Sequence, residues 1–563
     1  MVVERALETP RASALRQRQC HMFCAGKLTL TRALARLLRG PAQILHPCLH
    51  VKPKFGLRSV ARSSLRGGTM NVKERVVVIG TGPAGAAAAV FLSRGGVEPL
   101  LLEAGDGKAP LGLTARVRGL TLAKLKRPLS RRADLTMAGD PAAELYEELA
   151  PGGMSNHWAC AVPRFAPDDF ADAARAGEEY TWPIGYQDLA PWYDQVEPLL
   201  HITGAAADSA RLPAGQFSER WALAPEWAAV AAEAARDSRD VVAMPYAYGS
   251  ETIVTRSATA FNAYVRLIKP IQQRGGLSLR DGTQALRLEW SSRERRVVAV
   301  VCRDTRTGQE LMIPCRAVVL AAGAVNSAQI LMESGCADFP DGLGNLHGVL
   351  GHYLHDHPLA KVVLDLSRRV SLAPASYFTR PSLERTDPLY AAACMQWNSA
   401  SDMARTVLAG HPGQTGGLGF SLFGTMVPTK DDFVALDPRA SASGRSSLVF
   451  SLRYPERAIK ELERARDELM AALERAGWGP RLRVFKVEAP GNSVHYGGTC
   501  RMHASPRFGV VDAFSRVHGI SNVVVADSSV FTTGPEKNPV LTAMTLAARA
   551  CDRLVQDLRT GDI

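Results

Sequence analysis

A chain of 563 residues with 46% hydrophobic and 22% charged side chains can bury a large core, and its 48 glycines suit a globular α/β protein. No run of about 18 apolar residues occurs, which excludes an ordinary membrane-spanning helix. The net charge of +12 suggests a nucleic-acid partner only until its position is read. Residues 1–69 hold ten Arg and three Lys against Glu4 and Glu8, so the rest of the chain is nearly neutral and nucleic acid is disfavoured.

That basic leader, residues 1–69, has a helical period only in "LTLTRALARLLRG", Leu28 to Gly40. One reading is an Arg-rich organelle transit peptide with an amphipathic helix. The preferred one is upstream sequence before a true start at Met70, since "RGG" just ahead of it can be encoded by a purine-rich ribosome-binding site. The corresponding location is the cytoplasm, or an organelle matrix if the leader is a transit peptide. Ten cysteines without CxxC spacing agree with a reducing compartment.

The first structured element is "RVVVIGTGPAGAAAAVFLSRGGVEPLLLEAG", Arg75 to Gly105. Val76–Ile79 reads as a buried strand, Gly80-x-Gly82-x-x-Gly85 as the turn into an Ala-rich helix, and Pro99–Leu102 as a second strand ending in Glu103. Such glycines allow a tight turn, backbone approach to a pyrophosphate and close helix packing, while Glu103 can accept from ribose hydroxyls. The helix N-terminus favours the phosphate charge. A dinucleotide is expected, with NAD and FAD both open at this point.

Next comes "GGMSNHWACAVPRF", Gly152 to Phe165, where His157 could be a base, a metal ligand, a packed ring or a covalent attachment point. "EEYTWPIGYQDLAPWYDQVEPLL", from Glu178, is rich in aromatics that suit either a sugar site or a core. "SLRDGTQALRLEW", Ser278 to Trp290, reads as a strand pair. His347, His352, His355 and His357 crowd one segment, but no cysteine or carboxylate is spaced to complete a tetrahedral set, so no metal is expected. Gly- and Ser-rich stretches at 409–419 and 441–447 are predicted loops. "RYPERAIKELERARDELMAALERAGWG" is predicted as a charged amphipathic helix with its apolar stripe inward.

The last stretch, Val494–Leu558, contains a strand "NVVVADSSV" leaving through Asp527 and an amphipathic helix. Asn538 is its predicted N-cap and Pro539 its N1 residue. The positive end of that helix suits an anion such as a reduced flavin.

The two ends of the chain, with "AVVLAAGAVNSAQILMESG" (Ala317–Gly335) and "LGHYLHDHP" (Leu350–Pro358), resemble the glucose–methanol–choline (GMC) family of FAD oxidoreductases over most of residues 75–560. The resemblance implies FAD as the dinucleotide, with His495 as the histidine above the flavin and Asn538 as its His-or-Asn partner. An imidazole there can take the hydroxyl proton of an alcohol while hydride goes to the flavin, and the amide can hold the substrate oxygen. His503 departs from the family, which usually has glycine after "RM". The His157 stretch is most similar to pyranose 2-oxidases and bacterial sugar- or glycoside-oxidising relatives. In the fungal enzymes the matching histidine carries an 8α bond to FAD, so the resemblance makes His157 a flavin contact and a candidate covalent anchor.

Cofactor contacts are thereby implied at Gly80, Gly82, Gly85, Glu103, Ser155, Asn156, His157, Trp158, Ala285 (near adenine), Asp527, Asn538 and Thr542. The implied fold is α/β: a doubly wound, Rossmann-like FAD domain at 70–165, 270–358 and 490–560. A discontinuous α+β substrate domain on an antiparallel sheet takes 166–269 and 359–489. The implied reaction oxidises a ring hydroxyl of a sugar or glycoside to a ketone, with electrons passed to O2 or a quinone-type acceptor. A dehydrogenase of another alcohol, not using O2, is the alternative.

Overall fold

Short runs of Val and Leu drawn from distant parts of the chain build a parallel sheet in the computed structural model. The structure describes residues 75–106, 129–204, 209, 211–247, 261–371, 374–382, 387–397, 414–438 and 445–563. The leader, its Leu28–Gly40 period and Met70 lie outside these residues.

The parallel sheet has the order Val523–Val525, Ala317–Leu320, Val76–Ile79, Leu100–Leu102, Ser278–Arg280. Val77 pairs with Val318 on one side and Leu100 on the other, and Val318 pairs with Val523. Its first four strands in that order are buried at every position, which explains continuous apolar residues in place of alternation. The second strand starts one residue later than Pro99–Leu102 predicts, because proline has no N–H for the ladder. The helix Pro83–Arg94 packs on the C-terminal helix Val540–Thr560. Gly95 marks how close they lie: a Cβ there would stand 2.6 Å from a methyl group of Val555.

Two antiparallel sheets follow, and a mixed three-stranded sheet with two two-stranded ones completes the mixed α/β fold among the described residues. Thr283–Ser291, Arg296–Asp304 and Glu310–Pro314 form one of three strands. The other has six strands in the order Arg481–Val487, Leu359–Ser371, Gln414–Gly424, Ala392–Trp397, Ser376–Phe378, Val241–Ala243. Helix Glu456–Arg475 covers its outer face with Ala458, Leu462, Ala465, Leu469, Ala472 and Leu473, the inward stripe that the sequence predicts. Each of its leucines contributes about 1.5–3 kcal/mol through burial.

Composition misleads at 414–419. This is strand, not loop, because it pairs along one edge with Leu359–Ser371 and, at Gly419, also with Trp397; Gly419 makes room for the Trp397 ring, which a Cβ would approach to 2.9 Å. Residues 409–413 and 441–444 lie outside the described residues. The aromatic stretch from Glu178 supplies core: Trp182 and Tyr193 are buried, Trp182 against Phe170 and Phe531. Among the described residues, no helix is long and apolar enough to cross a membrane.

Candidate active site

A cavity of about 550 Å3 runs from the Gly80 turn to the face of the six-stranded sheet. At one end the strand Val76–Ile79 enters the turn with Gly80 at φ +104°, where a Cβ would lie 2.3 Å from the Ala321 carbonyl oxygen. Gly82 meets nothing within 4 Å and leaves bare backbone on the cavity wall. Gly85 does not line the cavity; its missing Cβ lets the helix sit on the Gly80 carbonyl, 2.2 Å from where that atom would be. With no side chain capping Gly82, the first N–H groups of helix Pro83–Arg94 remain available to an anion. Glu103 is 5% exposed and accepts from the Thr81 hydroxyl and, at 2.9 Å, from Gly105 N–H; burial raises its pKa. Each oxygen keeps a lone pair for a ribose hydroxyl. Ala285, Asp527 and Asn538 also line the cavity.

The His157 turn lies against this cradle. A Cβ on Gly153 would be 3.3 Å from the Gly82 Cα, and Gly152 N–H donates to the Thr81 hydroxyl at 3.0 Å. Ser155, His157 and Trp158 line the cavity, whereas Asn156 does not. Its amide instead holds the turn, donating to the Gly153 carbonyl at 2.9 Å and accepting from Asn262 at 2.6 Å. His157 Nε2 sits 2.5 Å from Glu148 Oε2, with both side chains almost fully buried at the cavity edge.

Thr542 is also turned away from the cavity. It is buried inside the C-terminal helix and shares a 2.7 Å hydrogen bond with the Tyr193 hydroxyl, while Pro539, Val540 and Ala543 line the wall. The cap prediction shifts by one residue. The helix begins at Val540 with Pro539 as N-cap, so the Asn538 amide is not spent on capping. Its Nδ2 lies 3.3 Å from His495 Nε2.

His495 is held on three sides. Its backbone N–H donates to Asp356 Oδ1 at 2.7 Å, and Ser493 donates to the same buried carboxylate through its N–H (3.2 Å) and its hydroxyl. Asp356 thereby grips both sides of Val494, a β-branched residue at φ +61° and hence strained. His495 Nδ1 is 3.0 Å from His357 Nδ1, and Phe423 stacks obliquely at 5.3 Å. Burial, with the Lys361 charge adding, lowers the His495 pKa to about 3; burial also holds His357 far below its ordinary value. Both rings are therefore neutral at working pH. A proton on His495 Nδ1, donated to His357, leaves the Nε2 lone pair beside Asn538 (an assigned tautomer).

The Asn538 loop is anchored from beneath. Lys537, 1% exposed, bridges Asp169 at 2.7 Å and Glu536 at 2.8 Å. Among the four clustered histidines, His355 is buried beneath Gly497 and Gly498, His352 shares a hydrogen bond with the Lys430 carbonyl, His347 is exposed, and His357 serves His495. His503 fills the space of the family glycine: its Nδ1 accepts from Ser505 N–H at 2.9 Å and its Nε2 meets the Glu178 carbonyl at 3.1 Å. Sequence reasoning misses Glu148, Asp356 and Lys361. "HDHP" offers the one signal, an acid between two histidines where the chain has little other charge.

Two family models described as GMC oxidoreductase match residues 174–359 and 437–547. The chain is 27% identical to 6'''-hydroxyparomomycin C oxidase of Streptomyces lividus, over 92% of this chain and 98% of that one. It is 26% identical to a C-glycoside 3-oxidase of Arthrobacter globiformis, over 75% and 76%. The fold is similar to that of pyridoxine 4-oxidase from "Mesorbium loti", with TM-score 0.60 and 19% identity, covering 85% of this chain and 99% of that one. The ordered glycine turn, the paired His495 and Asn538, and these matches converge: the chain belongs to the GMC oxidoreductase family, enzymes that act on CH–OH groups.

Proposed function

We propose that the protein oxidises a ring hydroxyl of a sugar or glycoside to a ketone with FAD as its cofactor, passing the electrons to O2 or a quinone-type acceptor. The observation carrying this reading is the neutral His495 Nε2 beside the Asn538 amide, at the end of a cavity whose other end is a bare glycine cradle. The cradle fits FAD: Gly80, Gly82 and the helix start for the pyrophosphate, Glu103 for the ribose, Ala285 near the adenine, and Ser155, His157, Trp158 and Asp527 toward the flavin. When bound, the flavin supplies the hydride acceptor. His495 Nε2 takes the hydroxyl proton, Asn538 orients the hydroxyl oxygen, and His357 and Asp356 fix the ring that does so. The names of the aminoglycoside and C-glycoside relatives support a sugar-like substrate. Segments 70–165, 270–358 and 490–560 form the FAD domain in this reading, and 166–269 and 359–489 the substrate domain. The parallel strands fall in the first set and the six-stranded sheet in the second. Cys302, Cys315, Cys336, Cys394, Cys500 and Cys551 are free thiols, which supports a cytoplasmic setting.

The test is a panel of glycosides mixed with the flavin-loaded protein, first under argon and then with air or a benzoquinone. A ring ketone is the expected product, and peroxide in air would assign the acceptor as O2. An aldehyde at an exocyclic carbon would overturn the ring-hydroxyl reading.

His157 is proposed as a covalent anchor as well as a contact, because its ring sits at the cavity edge beside the Glu148 carboxylate. Acid precipitation of the parent should leave yellow colour in the pellet, while His157→Ala releases it. Free flavin in the parent's supernatant would leave His157 as a packing contact alone.

A further inference from the structure

The strand Leu359–Ser371 alternates between two environments. Ala360, Val362 and Leu364 point into the core beneath helix Glu456–Arg475. Leu359 and Lys361 therefore face the other way, onto the cavity. Neighbouring strands alternate in phase: Ser421 and Phe423 line the cavity, whereas Phe420 and Leu422 are in that core. Since Phe423 stacks on His495, this wall is the one over the base. An ammonium group on such a wall is unusual, because a largely buried cation is costly unless paired.

Lys361 has little compensation. Its Nζ donates to the Ser421 hydroxyl at 2.7 Å, leaving two of three donors with no protein acceptor among the described residues. Among the described residues no carboxylate forms an ion pair with it. Glu488, the acid whose charge reaches it, is held by Lys486 at 2.6 Å. The other cations lining the cavity differ: Arg132 is paired with Asp134 at 2.8 Å and Arg445 with Glu147 at 2.9 Å. Lys361 is also close enough to His495 to disfavour its protonation.

We propose that Lys361 is a specificity-determining residue: its ammonium selects sugars or glycosides that carry a carboxylate and rejects those that carry an ammonium group. The inference rests on the sugar-oxidising reading above and narrows its substrate class. A carboxylate would supply the missing acceptor for the two remaining N–H donors, and a charge-assisted hydrogen bond is the stronger kind. A cationic amino sugar would bring like charge into a cavity where water screens poorly.

The experiment uses the flavin-loaded enzyme and three glycosides of one aglycone: a glucuronide, a glucoside and a glucosaminide. Anaerobic flavin reduction is followed at rising concentration of each, in the parent, Lys361→Met, Lys361→Arg and Lys361→Glu, with flavin content measured throughout. The parent should use the glucuronide with kcat/KM at least about tenfold above the glucoside, the scale of one hydrogen bond to a charged group. The glucosaminide should be poorest. Lys361→Met should collapse the acidic-to-neutral ratio toward one through KM, Lys361→Arg should restore it, and Lys361→Glu should shift preference to the glucosaminide. Equal use of the glucuronide and glucoside by the parent, or a ratio unmoved by Lys361→Met, would overturn this inference alone. Failure of all three sugars with reduction by a non-sugar alcohol would overturn the sugar reading and this inference with it.

Discussion

His495→Ala should yield a folded, yellow protein whose flavin is reduced by substrate about 10²–10⁴-fold more slowly, the usual contribution of a positioned base. That loss corresponds to roughly 3–5 kcal/mol of barrier. Folding should survive because the Asp356 grip on this loop uses the backbone N–H of His495, which alanine keeps. The pH profile carries the sharper signature. A neutral imidazole is required, so the rate must fall as pH drops through the His495 pKa. With that pKa near 3, kcat/KM should stay level with respect to His495 from neutral pH to about pH 4 and decline below it. The acid decline should be missing in the alanine variant. Asn538→Ala should slow reduction while keeping that decline. It should not fray the C-terminal helix, whose N-cap is Pro539. Near-parental reduction by flavin-loaded His495→Ala would remove the base from the account, and stopped-flow absorbance reads the difference directly.

Gly80→Ala should leave no flavin-loaded protein at all. The new Cβ would fall 2.3 Å from the Ala321 carbonyl oxygen, backbone that cannot swing aside, and φ +104° adds strain of about 1–3 kcal/mol for a non-glycine residue. The parallel sheet pairs Ile79 with Leu320 just before this contact, so relief would mean parting two central strands. Gly82→Ala is the instructive contrast. Its Cβ meets no protein atom and its backbone is ordinary, so the fold should melt close to the parent while flavin is lost, the methyl group standing where the pyrophosphate approaches. Thermal melts and flavin-to-protein ratios separate the two. Parental flavin content in Gly80→Ala would contradict the close approach.

Local chemistry made much of this legible in the sequence. Val76–Ile79, a run without alternation, reads as a strand buried on both faces, and it is the central strand of the parallel sheet. The period of Ala458 to Leu473 names the buried stripe of its helix without ambiguity. What escaped depends on tertiary neighbours. Asn538 has the chemistry of an N-cap, and only the structure shows its amide diverted to His495 one residue before the cap. Thr542 lies on the first turn of the helix predicted beneath the flavin, yet its hydroxyl is claimed by Tyr193 from another helix. Gly-rich 414–419 reads as loop until Trp397 is seen to need the space of Gly419. Lys361 sits in an ordinary strand sequence, and only the alternation fixed by the core beneath places it in the cavity.

The most direct measurement is one anaerobic turnover. The purified yellow protein is mixed under argon with a limiting amount of a glycoside that bleaches it, and reduced flavin is compared with carbonyl product. The account predicts one ring ketone formed for each flavin reduced, with no external acceptor present. Flavin that stays oxidised while the glycoside is consumed, or bleaching with the sugar recovered unchanged, would contradict oxidation of the sugar by the flavin held in this cavity.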